Sequence, residues 1–320
     1  MGAPQHSGLE EQQPRLPFPA KVLSVLVLVS AVRSAVDLAT GVEFDPVAFT
    51  PRPLDTVTTA ASILTVVLLV PSGVGFLLRR AQARRLLILA WFALYVTRLL
   101  VRLPTTVGQS MPPGFEFLRW LILWYLVGSQ AIAAVLAASY LRSLPVRQAT
   151  GESPATLDAP GLTPRDARRL PCVGKVLAVS VLDRGAGYGA FSAFLLAHSI
   201  SSGFWGPGTS WFSLLSQPAL ARPLLQALMG VAGIVGGAVL LCRQSWGRWT
   251  VLVFLCLDAL QMAACFLNLG GALHADRYAG MGHRVLWDSG VGVVLAVLPA
   301  VFLIGILCTR RVRDAMVARR

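Results

Sequence analysis

Long apolar runs alternate with short polar breaks along this chain. Runs at 20–41, 56–78, 86–103, 117–141, 175–200, 223–241, 249–269 and 286–308 predict helices of bilayer-spanning length, which takes about 20 residues. The purely apolar part of the first, 22–32, is too short to span alone, so its helix must carry Arg33 and Asp37 into the membrane. Between the second and third runs lies a turn holding Arg79, Arg80, Arg84 and Arg85, and between the sixth and seventh a turn with Arg243 and Arg248. Lipid-exposed backbone must satisfy its own hydrogen bonds, so an apolar run on each side of a tight basic turn predicts a helical hairpin. Pro46, Pro51 and Pro53 punctuate the first break, predicted as a loop. Phe204, Trp205, Trp211 and Phe212 place a break after the fifth run along the membrane interface.

The predicted fold class is therefore all-α: a polytopic transmembrane helical bundle of about eight spans. Its segments are a cytoplasmic tail at 1–19, a first four-helix unit at 20–141, a Pro- and Arg-rich cytoplasmic linker at 142–174, a second four-helix unit at 175–308 and a basic cytoplasmic tail at 309–320. Most of the 28 Lys and Arg residues fall on one side if both termini are cytoplasmic; the reverse orientation violates the positive-inside rule. The first run reads as a retained anchor, because Glu10, Glu11 and several prolines precede it and no small-residue cleavage site follows.

Composition sharpens this. Only 13% of residues are charged, 55% are hydrophobic and the mean hydropathy is +0.65. Soluble domains carry about 25% charged residues. The net charge of +13 meets anionic headgroups at the cytoplasmic helix ends. No soluble basic domain is present to make nucleic acid a partner. Lys21 and Lys175 are the only lysines; with abundant Ala, Gly, Val and Leu this composition associates with a bacterial genome, hence an inner membrane. Cys172, Cys242, Cys256, Cys265 and Cys308 form no disulfide framework in this pattern, and Cys256 and Cys265 read as buried small hydrophobes.

The two halves resemble each other. Lys21-Val-Leu-Ser-Val opens one and Lys175-Val-Leu-Ala-Val the other; Leu77-Leu78-Arg79-Arg80 answers Leu240-Leu241-Cys242-Arg243; basic segments at 142–147 and 310–313 close them. Four helices per half make the repeats parallel, related by an axis along the membrane normal.

Ionisable groups inside a span are costly and face the bundle interior. Helical spacing groups Ser30, Arg33, Ser34 and Asp37 on one face, and Ser180, Asp183, Arg184 and Gly187 on another. Both helices thus carry one acid and one base, readable as a polar path between the halves or as internal pairs that fix packing. Aligning the third and seventh helices sets Tyr95, Arg98 and Arg102 against Asp258, Gln261 and Cys265, and predicts that Arg98 or Arg102 meets Asp258 across the halves. Gly185 with Gly189 and Gly233 with Gly237 mark close helix contacts. His274, Asp276 and His283 have no metal-site spacing; no motif implies a metal or cofactor, and no nucleotide-binding or hydrolase signature occurs.

Three functional classes are compatible with this sequence. A non-enzymatic, membrane-embedded partner or assembly subunit leads, because charge pairs can be structural and no soluble domain is present. A small-solute transporter or channel with a polar path between the halves is the alternative. An intramembrane enzyme on lipid-like substrates comes third, since Asp and Glu are scattered.

Overall fold

The computed structural model describes residues 15–45, 50–108, 120, 123–151, 170–201, 218–276 and 282–317. The long helices are α1 (Phe18–Thr40), α2 (Thr56–Leu77), α3 (Ala81–Gly108), α4 (Gln130–Leu141), α6 (Cys172–Ser201), α7 (Pro218–Leu241), α8 (Ser245–Asp276) and α9 (Gly282–Leu307). Two short helices, α5 (Leu144–Ala149) and α10 (Arg310–Val317), follow α4 and α9. A π-helical turn at Tyr125–Ser129 leads directly into α4. Among the described residues, five helices are long and apolar enough to cross a membrane: those at 18–40, 56–77, 223–241, 245–264 and 290–307. This is a helical membrane protein. The charges on α3 (Arg84, Arg85, Arg98, Arg102) and α6 (Lys175, Asp183, Arg184) lower their mean hydropathy relative to those five.

The break after α1 differs from the predicted loop. It holds a two-stranded antiparallel ribbon, β1 (Val42–Asp45) with β2 (Thr50–Pro53), in which Phe44 opposes Pro51 and Val42 opposes Pro53. The Leu54 N–H donates to the Gly41 carbonyl at 3.0 Å, which fixes the bonded phase of the ladder. Both prolines then occupy the other phase, where the missing N–H would point away from the partner strand. Asp55 caps α2: its carboxylate accepts from the Thr58 N–H at 2.6 Å, and the Thr58 hydroxyl accepts from the Asp55 N–H at 3.0 Å. That backbone bond holds the Asp55 carboxyl below the usual carboxylate range. Helix α8 continues to Asp276, beyond the predicted end of its run at 269, so His274 and Asp276 lie on a helix.

Contacts run α1–α2–α3–α4–α6–α7–α8–α9 and return from α9 to α1, a closed ring. Among the described side chains, the core is richest at one end. It takes Ala20, Leu23 and Val27 from the start of α1, Phe76 from the end of α2, Leu87 from α3 and Leu141 from the end of α4, with Leu177, Leu240, Phe254 and Leu307 at the corresponding ends of the later helices. This is also the end with the basic turns. Along the outward faces of the helices apolar side chains are exposed, Leu228 by 69% and Leu260 by 66%. A surface of that kind is solvated by lipid. Cys256 lies on this outward face of α8 between Val253 and Leu260, and is exposed rather than buried.

The two hairpin turns share one geometry. At the end of α2 the Arg80 N–H donates to the Gly75 carbonyl and the Arg79 N–H to Phe76; at the end of α7 the Gln244 N–H donates to Val239 and the Arg243 N–H to Leu240. Both are Schellman caps, with Arg79 (φ 60°) and Arg243 (φ 58°) in the left-handed position. The shared cap sets Arg79, not Arg80, opposite Arg243, one residue away from the sequence alignment.

Candidate functional site

A polar cluster lies between α6, α7 and α8. Helix α6 presents Arg184 and Tyr188 four residues apart, and α8 presents Asp258 and Gln261 three apart, so each pair shares a helix face. One Asp258 carboxylate oxygen pairs with Arg184 Nη1. The other accepts from the Tyr188 hydroxyl at 2.5 Å. The Tyr188 ring stands edge-on to Phe254, one turn before Asp258, with centroids 6.3 Å apart. Asp258 is 3% exposed, while the Arg184 side chain keeps 32% of its surface accessible. A carboxylate in such surroundings is tolerable because both oxygens are engaged.

Backbone proximity builds this cluster. A Cβ at Gly185 would stand 2.6 Å from the Ile234 nitrogen, one at Gly230 2.7 Å from the Gly189 nitrogen, and one at Gly237 2.8 Å from the Ala178 carbonyl oxygen. Helices α6 and α7 therefore touch main chain to main chain, the close approach that small residues permit. Gly233 touches both neighbours, with a Cβ there 2.7 Å from Gly185 Cα and 2.9 Å from the Phe254 ring, and Gly236 sits against Val251 of α8. Continuing that antiparallel register sets Gln226 level with Gln261, about one turn beyond Asp258. Gln226 is 4% exposed, and the Oε1 atoms of Gln226 and Gln261 are both buried without a hydrogen-bond partner.

The candidates from sequence are thus partly reunited and partly separated. Arg184, Asp258 and Gln261 share this cluster. Asp183 does not: its carboxylate accepts from the Trp124 indole N–H at 3.0 Å, toward the helix that ends the first half. Neighbouring residues on a helix point about 100° apart, so the face assigned jointly to Asp183 and Arg184 splits between two partners. Asp258 has Arg184 of α6, in its own half, as a cation partner; the expected meeting of Arg98 or Arg102 with Asp258 falls on side chains outside the described residues. The side chains of Arg98, Arg102, His274, Asp276 and His283 lie outside the described residues, as do Phe204, Trp205, Trp211 and Phe212. Tyr95, from the same α3 stripe, donates to the Val127 carbonyl at 3.1 Å within the π-turn. On α1, Asp37 is buried and Arg33 half-buried; that helix packs mainly on α2 and α9, and α9 also touches α6.

Sequence reasoning missed Tyr188 and Gln226. Tyr188 was legible as the residue four beyond Arg184. Gln226 had no local signal, because only the α6–α7–α8 packing turns an ordinary glutamine into a buried one.

No protein family, curated protein or solved structure matches this chain. The functional reading rests on the geometry.

Proposed function

We propose that this protein is a non-enzymatic, membrane-embedded partner or assembly subunit, lying in a bacterial inner membrane with eight spans and both termini cytoplasmic. Its partner in this reading is another membrane protein. The observation that carries it is the state of Asp258: both carboxylate oxygens are used by Arg184 and Tyr188. Asp183 is likewise engaged by Trp124. Charges satisfied by neighbouring helices fix helix positions and leave little for a solute to bind.

The eight spans form two parallel repeats in this proposal, and five correspondences support it. Pro171 accepts from the Gly174 and Lys175 N–H groups as Pro17 does from those of Ala20 and Lys21. A Cβ on Gly237 would meet Leu182, and one on Gly73 would meet Leu28. The Schellman caps at Arg79 and Arg243 match. Arg84 Nη1 donates to the Leu141 carbonyl at 3.2 Å, and Arg248 Nη2 lies 3.8 Å from Cys308 Sγ, each reaching the last turn of the next long helix. Leu141, Ser143, Val146, Arg147 and Ala149 recur as Leu307, Thr309, Val312, Arg313 and Ala315, with the Leu, Val and Ala of each set buried. Under this pairing Leu94, not Tyr95, corresponds to Asp258, and Asp183 and Arg184 correspond to Val29 and Ser30. The charges of α1 and α6 are then independent acquisitions rather than one inherited pair.

The transport reading has one observation in its favour, the unpartnered Oε1 atoms of Gln226 and Gln261. Single cysteines at 226 and 261 in a cysteine-free background separate the two. A dry seam leaves both unlabelled by a membrane-impermeant thiol reagent; labelling of either in intact cells overturns the subunit reading in favour of a solute path. A reporter fused after Arg320 tests the topology: activity only on the outer side refutes it.

A further inference from the structure

At the basic end of the second half, α6 and the α7–α8 turn flank an open recess of about 300 Å³ lined by Leu170, Lys175, Leu241 and Arg243. Its depth in the membrane is set by its neighbours. The apolar span of α7 closes at Leu241 and that of α8 opens at Ser245. Trp246 and Trp249 are exposed on the first turn of α8, where amphipathic rings lie at headgroup level. Two cations therefore converge on an apolar-walled recess at the boundary between lipid tails and water.

The backbone under Arg243 is costly. At φ 58° in a Schellman cap, glycine is the residue without strain. Arginine in a left-handed position points to a use for its side chain. The same substitution of arginine for glycine occurs at Arg79, and Leu16, Lys21 and Leu77 hold the places matching Leu170, Lys175 and Leu241.

We infer that the Lys175–Arg243 recess binds the phosphate-bearing headgroup of an anionic lipid, with an acyl chain running along Leu241. Arginine and lysine supply charge-assisted donors to phosphate oxygens. The leucine walls favour an amphiphile over a free ion, since inorganic phosphate has nothing to place against them. This site is independent of the subunit reading and requires only that the protein lie in a membrane.

The test uses the full chain in phosphatidylcholine nanodiscs doped with a minority of phosphatidylglycerol, with retained lipid counted by native mass spectrometry. Wild type is expected to retain phosphatidylglycerol in preference to phosphatidylcholine. Arg243→Gly and Lys175→Gln are each expected to weaken that retention about fivefold. Arg310→Gln, which removes an exposed arginine at the same end, is expected to leave it unchanged. Arg243→Gly relieves the backbone but also removes the side chain's contacts, so both variants are melted beside wild type, and loss of lipid in a variant that melts with wild type is loss of the site. Unchanged retention in Arg243→Gly and Lys175→Gln overturns the site. An equal loss in Arg310→Gln shows diffuse attraction and overturns it too. Displacement of phosphatidylglycerol from wild type by inorganic phosphate alone overturns the lipid assignment.

Discussion

Gly185 and Gly189 form one GxxxG motif, yet the structure gives them opposite roles. A methyl group on Gly185 would stand 2.6 Å from the Ile234 nitrogen, 2.8 Å from the Gly233 carbonyl carbon and 2.9 Å from the Gly230 oxygen. Those atoms are all main chain and cannot rotate aside. The nearest lies 0.8 Å inside the 3.4 Å at which ordinary contact begins, so α6 and α7 must separate along their seam. Overpacking of this kind costs about 1–3 kcal/mol. A methyl on Gly189 meets nothing within 4 Å. Both changes to alanine gain the same helix propensity, about 1 kcal/mol. The difference between them therefore isolates the steric cost, and Gly185→Ala should be less stable than Gly189→Ala by about 1–3 kcal/mol. Unfolding in mixed micelles, followed by tryptophan fluorescence, measures both variants side by side. Equal stabilities, or a less stable Gly189→Ala, would refute the claim that backbone contact between these helices is what excludes a side chain.

The hairpins make a second prediction: Gly75 touches Ala83 where Val239 touches Gly247, so Gly75→Val should destabilise by about 1–3 kcal/mol and Ala83→Gly should restore most of the loss. A double variant as unstable as Gly75→Val in the same micelle assay contradicts this. For the buried ion pair, Asp258→Asn and Arg184→Gln should each destabilise, with a coupling of about 1–3 kcal/mol in a double-mutant cycle; additive effects would show the pair to be incidental. The Asp55 cap predicts a pH response. Its carboxyl is held below the ordinary value in the folded state, so its contribution is full above the ordinary carboxylate pKa and fades as pH falls through the lowered one. Hydrogen exchange at Thr58 and Thr59 should accelerate over that acidic window beyond the intrinsic rate, and Asp55→Ala should abolish the pH dependence; an unchanged profile in that variant removes the cap from the explanation.

The order of apolar runs and basic turns already determined that this is a helical membrane protein, because hydrocarbon admits few backbone solutions and hydropathy is a local property. The small-residue pairs at Gly185 and Gly233 were equally legible, since close helix packing needs small side chains wherever it occurs. Partner choice was not. The sequence put Asp183 and Arg184 on one face and sent Asp258 to the other half; only the ring order of the helices and their rotation turned Asp183 to Trp124 and Arg184 to Asp258. The ribbon at Val42–Asp45 likewise depended on which phase of a ladder its prolines occupied. The burial of Gln226 followed from glycines on α6 and α7 that bring three helices together. Solvent preference is written residue by residue. Which charge meets which is a sum over distant packing, and that sum exists only once the helices have docked.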